Sequence, residues 1–264
     1  MKRRQFLVLT ATALFVPAVF AAEAGKGGLS IGSAINKAGR QRMLSQRMAK
    51  TFAMQTAGVM PDKAGSLLEQ SRKLFEAQLA ELKTLAPSEA IQVALADLDK
   101  AWVSYREVLT KPRTPENAQL VLAESEMTLR AAHVLTGLYE KQAGSSAGHL
   151  VNISGRQRML SQRIAKCFLF EQSGVSADAL RKEQETARRD FVAALAELNA
   201  APQNTAEIRT ELGLANTQWL FFEQALNGQE RNREVAARNV ATTSERILEV
   251  MDSLTGQYEK LVRG

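Results

Sequence analysis

GRQRMLSQR, residues 39–47, recurs without a change as residues 155–163, while the residues around it have drifted. The likeness of the two copies extends well beyond this segment. Ile35-Asn36 faces Val151-Asn152, Ala49-Lys50 faces Ala165-Lys166, and Gly58-Val59 faces Gly174-Val175. With small gaps, Trp102 then faces Trp219, and Tyr139-Glu140-Lys141 faces Tyr258-Glu259-Lys260. The chain is a tandem duplication of a unit of roughly 115 residues.

The composition is that of helices. Ala, Leu, Glu, Gln and Arg dominate, with six prolines and 6% aromatic residues, so a core has to be built from Leu, Met, Val and Ala. Turn signals at Gly58–Pro61, Ala86-Pro87 and Lys111–Pro115 predict helices near 31–57, 62–85, 88–110 and 115–143. In the second copy, Gly174, Ala201–Asn204 and Asn227-Gly228 predict helices near 149–173, 176–199, 204–227 and 230–262. Leu67, Leu68, Ser71, Leu74, Phe75, Leu79 and Leu82 have the three-and-four spacing of an amphipathic helix. Short connections make neighbours antiparallel. The expected fold class is all-α: two tandem antiparallel four-helix bundles after an N-terminal signal peptide.

That leader is MKRRQFLVLTATALFVPAVFAAEAG, with a basic start, an apolar run from Phe6 to Phe20, and small residues at its end. It reads as an export signal, with cleavage expected after Ala21 or Ala24, and Arg3-Arg4 gives it a twin-arginine character. The expected division is a signal over 1–21, a first domain over 22–148 and a second over 149–264, with a soluble periplasmic product. Loss of residues 1–21 removes Lys2, Arg3 and Arg4 and lowers the formal charge from +6 to +3. So mild a charge on an exported protein argues against nucleic acid as a partner. The single cysteine, Cys167, has no internal disulfide partner and matches Thr51, which reads as a small buried side chain.

On a helix, at about 100° per residue, residues 35–54 divide into three sides. Ala38, Gln41, Leu44, Ser45, Met48 and Phe52 face their own bundle. Ile35, Gly39, Arg42, Gln46, Ala49 and Ala53 form a second stripe with the spacing of a helix–helix seam. The duplicate stripe is Val151, Gly155, Arg158, Gln162, Ala165 and Leu169. Arg40, Arg47 and Lys50 fall on a third side and are expected in water, as are Arg156 and Arg163. Glycine costs about 1 kcal/mol of helix propensity relative to Ala, so its recurrence at Gly39 and Gly155 points to a close approach of helices. Each seam then centres on one arginine. Facing seams would bring two guanidinium groups together, at a cost of several kcal/mol per unpaired buried charge, and a planar oxyanion between them would cancel the repulsion. Gln46 and Gln162, one turn on, add neutral donors. The plain alternative is a salt bridge from Arg42 to a glutamate of a neighbouring helix.

INKAGRQRMLSQRMAK (35–50) and VNISGRQRMLSQRIAK (151–166) resemble the PilJ-type domain, the N-terminal region of type IV pili methyl-accepting chemotaxis transducers. The same segment is similar to the P-box of nitrate/nitrite sensor kinases of the NarX and NarQ type. Arg40-Gln41 and Leu44 depart from the kinase pattern. The resemblance implies a periplasmic sensory four-helix bundle that binds one nitrate between paired first helices. The anion would be held by an arginine from each helix and by backbone at the glycine end. Carried onto this chain, the arginines are Arg42 and Arg158 and the glycines Gly39 and Gly155.

The expected function is thus a periplasmic sensor or binding protein for a small oxyanion, nitrate or nitrite first, with a membrane receptor or transducer as partner. The alternative is a helical adaptor that pairs with PilJ-type receptors and takes no small ligand. An enzyme is not expected. His133 and His149 lie in no metal-ligand spacing, no nucleophile motif is present, and no metal or cofactor is called for. Trp102 and Trp219 read as core anchors. Between the copies, Gly144-Ser-Ser-Ala-Gly148 leaves two arrangements open. A break there folds the second bundle beside the first and sets Arg42 against Arg158 in one chain; a continuous helix stacks the bundles end to end and makes the site need a homodimer.

Overall fold

The computed structural model describes residues 28–175, 177–228 and 230–263. The leader expected over residues 1–21, with its cleavage positions, lies outside the described residues. Among those described there is no strand, and eight helices follow one another: α1 (Ile31–Thr56), α2 (Pro61–Leu82), α3 (Glu89–Leu109), α4 (Pro115–Ala143), α5 (Ser146–Gln172), α6 (Ala177–Ala200), α7 (Ala206–Asn227) and α8 (Arg233–Arg263). The predicted helices are all present, with ends shifted by a few residues.

Local chemistry sets the ends. Ser30, Ser88, Thr114, Ser145 and Thr205 each cap a helix by accepting a hydrogen bond from the backbone N–H three residues on, which satisfies a donor the helix itself leaves orphaned. Pro61 and Pro115 stand in first turns, where a missing N–H costs nothing.

The connection between the copies is broken. Gly144 has φ +58° and closes α4 through its N–H to the Glu140 carbonyl, a left-handed conformation glycine adopts without strain. Ser145 then caps α5 through the Gly148 N–H at 3.1 Å. The chain reverses over these two residues, and α5 comes to lie along α1. Asn152 and His149 both reach back to Glu140 across the reversal.

In the resulting architecture α1, α4, α5 and α8 form a central bundle, with α2 and α3 against one side and α6 and α7 against the other. Contacts along α8 run Asn36–Glu259, Arg40–Asp252, Arg47–Glu245, so α8 is antiparallel to α1. It is equally antiparallel to α5, from Arg158–Asp252 to Gln162–Ser244. Hence α1 and α5 are parallel, and Ile35 packs beside Gly148 near their starts. One apolar core runs through both copies. Trp102 stacks on Phe75 at 4.3 Å and Trp219 on Phe191 at 4.2 Å, so the tryptophans are core anchors. Cys167 is buried and its thiol is held above its ordinary pKa by that burial.

Candidate functional site

Arg42 and Arg158 meet where α1 and α5 run side by side, and both are buried, at 1% and 0% exposure. The two glycines make the meeting possible. A Cβ on Gly39 would stand 3.1 Å from Nη2 of Arg42 and 3.7 Å from Nη2 of Arg158; one on Gly155 would stand 3.1 Å from Arg158 and 3.6 Å from Arg42. Each guanidinium thus folds back over the glycine one turn before it and reaches the glycine of the other helix. The arrangement has a local two-fold. Arg42 Nη2 donates to the Asn152 carbonyl at 3.2 Å, and Arg158 Nη2 donates to the Asn36 carbonyl at 3.1 Å. The Nε of each is buried without an acceptor.

The fourth helices break the symmetry. Arg158 Nη1 donates to the carboxylate of Asp252 on α8, which Arg40 shares at 2.6 Å. At the equivalent place on α4 stands His133, whose Nδ1 is 3.4 Å from Arg42 Nη1. Among the described residues no carboxylate pairs with Arg42. Burial, then the charge of Arg158, pushes the Arg42 pKa down to about 9. Burial and the charge of Arg40 bring Arg158 down to about 10, with Asp252 acting against the shift. His133 is exposed; the withdrawal of part of its ring from water and the charges of Arg42 and Arg156 hold its pKa below the ordinary value, so it is neutral at pH 7. Among the described residues the two buried cations therefore have one ion-paired carboxylate, Asp252 on Arg158, with Glu140 also favouring the charge of Arg42 and Glu259 that of Arg158, and burial of an incompletely compensated charge costs several kcal/mol.

The amide Nε2 of Gln46 points to the Ser125 carbonyl at 3.4 Å and that of Gln162 to the Ser244 carbonyl at 2.8 Å, while both amide oxygens are buried without a donor. The glutamines bind α1 to α4 and α5 to α8, one turn from the arginines.

The third side of α1 departs from expectation. Arg40, Arg47 and Lys50 are not in water. Arg47 and Lys50 share Glu245 of α8, and the Lys50 side chain is fully buried. In the duplicate, Arg163 and Lys166 share Glu126 of α4 and Glu183 of α6. Arg156, with a side chain 43% exposed, pairs with Asp190. The correction has two physical causes: each fourth helix packs on the first helix of the other copy as well as its own and brings Asp252, Glu245 and Glu126 to these cations, while α6, in the same copy as α5, adds Glu183 and Asp190. His133 and Asp252 escaped sequence reasoning. The signal for them lies in the register fixed by Tyr139 and Tyr258, which sets the two residues opposite one another in the duplication.

Among the described residues no group of His, Cys, Asp and Glu side chains is placed to hold a metal ion, and no helix is long and apolar enough to cross a membrane. No curated protein and no solved structure matches the chain. A family model does, twice, over residues 28–128 and 141–247. Through these two tandem matches the chain belongs to the PilJ family, the type IV pili methyl-accepting chemotaxis transducer N-terminal domain.

Proposed function

We propose that this chemotransducer-related protein is a non-catalytic periplasmic sensor that binds one small planar oxyanion, nitrate or nitrite, between Arg42 and Arg158. The charge imbalance carries the reading: two fully buried guanidinium groups meet across a glycine-lined seam, and the carboxylate of Asp252 pairs with Arg158 but not with Arg42. Each keeps a buried Nε–H with no acceptor. A planar oxyanion accepts paired hydrogen bonds from a guanidinium fork, and in this dry setting it would offset a repulsion on the order of a few kcal/mol. Neither copy holds the anion alone. The duplication supplies in one chain the second arginine that a single-copy domain would need from a partner subunit.

Anion binding would draw α1 and α5 together. Because α4 and α8 hold both helices through Glu126 and Glu245, a change in that seam would reach the outer surface and a membrane receptor able to read it. Isothermal calorimetry with nitrate, nitrite and chloride tests the reading. A selective response that is lost in Arg42→Ala and in Arg158→Ala is expected; no response to any anion by the intact protein would overturn it in favour of a helical adaptor.

A further inference from the structure

The two fourth helices occupy equivalent places, yet their solvent faces differ. On α4 the exposed positions 120, 123, 127, 130, 134 and 137 alternate by three and four, the spacing of a coiled-coil seam. They carry Leu120, Ala123, Met127, Arg130, Val134 and Gly137, of which Leu120, Met127 and Val134 are 46%, 51% and 57% exposed. In the register fixed by Tyr139 and Tyr258, the counterparts of these three on α8 are Asn239, Arg246 and Ser253, also exposed. The α8 face is what an ordinary solvated helix shows. The α4 face repeats an apolar side chain every seventh residue, with Ala123 between the first two and Arg130 between the second and third.

This stripe borders a groove of about 510 Å³ between α3 and α4, floored by Ala94, Ala101 and Ala131. The groove runs on past Val93 and Leu138. Its ionisable lining is Asp97, Lys100, Glu124 and Arg130, two of each sign. Among the described residues none of the four has an ion-pair partner, although Lys83–Asp99 and Arg72–Glu76 nearby on the same bundle are paired.

We infer that this face joins two copies of the chain, α4 against α4 in antiparallel order about a two-fold axis near Met127. Self-complementarity selects this occupant. Leu120 and Val134 lie about 10 Å to either side of Met127 along the helix, and Glu124 and Arg130 about 4.5 Å to either side. An antiparallel copy therefore sets leucine against valine, methionine against methionine, and each Glu124 against an Arg130. A groove with balanced charge does not select a partner of one sign. The contact is isologous and closes at two chains. It leaves the α1–α5 seam of each copy untouched, so it does not depend on the anion reading.

Sedimentation equilibrium of the protein, without added nitrate, tests the inference. A monomer–dimer equilibrium is expected. Met127→Glu and Val134→Glu should each abolish it with helical circular dichroism retained, while Ser253→Glu on α8 leaves it intact. Glu124→Arg and Arg130→Glu should each weaken the dimer about tenfold through like charges set face to face, and the double exchange should restore it. A protein that is monomeric at all concentrations, or a dimer indifferent to Met127→Glu, overturns the inference. So does a double exchange no stronger than its single changes.

Discussion

Arg158 is paired with the carboxylate of Asp252, and its duplicate, Arg42, has the neutral imidazole of His133 in that place. The seam is thus half neutralised from within, and an incoming anion competes with Asp252 for donors. Asp252→Asn should tighten nitrate binding while lowering the stability of the free protein, because Arg158 and Arg40 lose their shared counterion. The loss is about 1–2 kcal/mol, below that of a fully buried pair because the Asp252 side chain is 43% exposed. His133→Asp should do the reverse, supplying Arg42 with a built-in counterion and weakening nitrate. Calorimetry for affinity and thermal unfolding with and without nitrate separate the two effects. Equal nitrate affinity in wild type and both variants would show that the anion does not share donors with these groups.

Two glycines of α1 should respond differently to the same substitution. At Gly39 the added Cβ would meet the far end of a flexible side chain, Nη2 of Arg42, at 3.1 Å. Gly39→Ala should therefore leave stability unchanged or raise it by up to about 1 kcal/mol through helix propensity, while displacing the guanidinium and costing nitrate affinity. At Gly32 the Cβ would stand 2.9 Å from Cβ of Val262, an atom that no side-chain rotation can move, so the backbone of α8 would have to shift. Gly32→Ala should destabilise the protein by roughly 1–3 kcal/mol and leave the seam alone. Thermal melts of the pair, read beside their nitrate titrations, check both signs.

The sequence made the helices legible through Gly, Pro and capping residues, which act locally. It made the seam legible because small residues at Gly39, Ala49 and Ala53 with one arginine among them leave few readings. Whether Arg42 would meet Arg158 in the same chain was not legible, since it turned on one residue, Gly144, taking φ +58° inside a stretch that composition alone also allows as helix. The fate of Arg47 and Lys50 was misread for a different reason. A helical projection tells which residues share a side but not what covers it, and here the cover is α8 from the other copy. His133 and Asp252 were hidden because the fourth helices match in length and character more than in residues.

The ion-pair clasp makes an acid-stability prediction. Burial alone would raise the pKa of Glu245, but Lys50 and Arg47 overcome it and bring the carboxyl from an ordinary 4.5 down to about 2. A carboxyl whose pKa is lower in the folded than in the unfolded chain stabilises the fold above the unfolded value. That contribution, roughly 3 kcal/mol for a shift of this size, is lost as pH falls from about 4.5 through about 2. Glu245→Gln should therefore flatten the stability profile across that acid window. At neutral pH it should also cost about 3–5 kcal/mol, because Lys50 is left buried beside Arg47 without a counterion. Lys50→Met combined with Glu245→Leu should recover much of this loss, since a well-packed apolar pair often equals a buried ionic one. Urea unfolding of the three proteins at several pH values checks each step. A Glu245→Gln profile with wild-type slope below pH 4.5 would show that the acid response comes from other carboxylates, such as Asp252 and Glu183, whose pKa values are also held down by neighbouring cations against their burial.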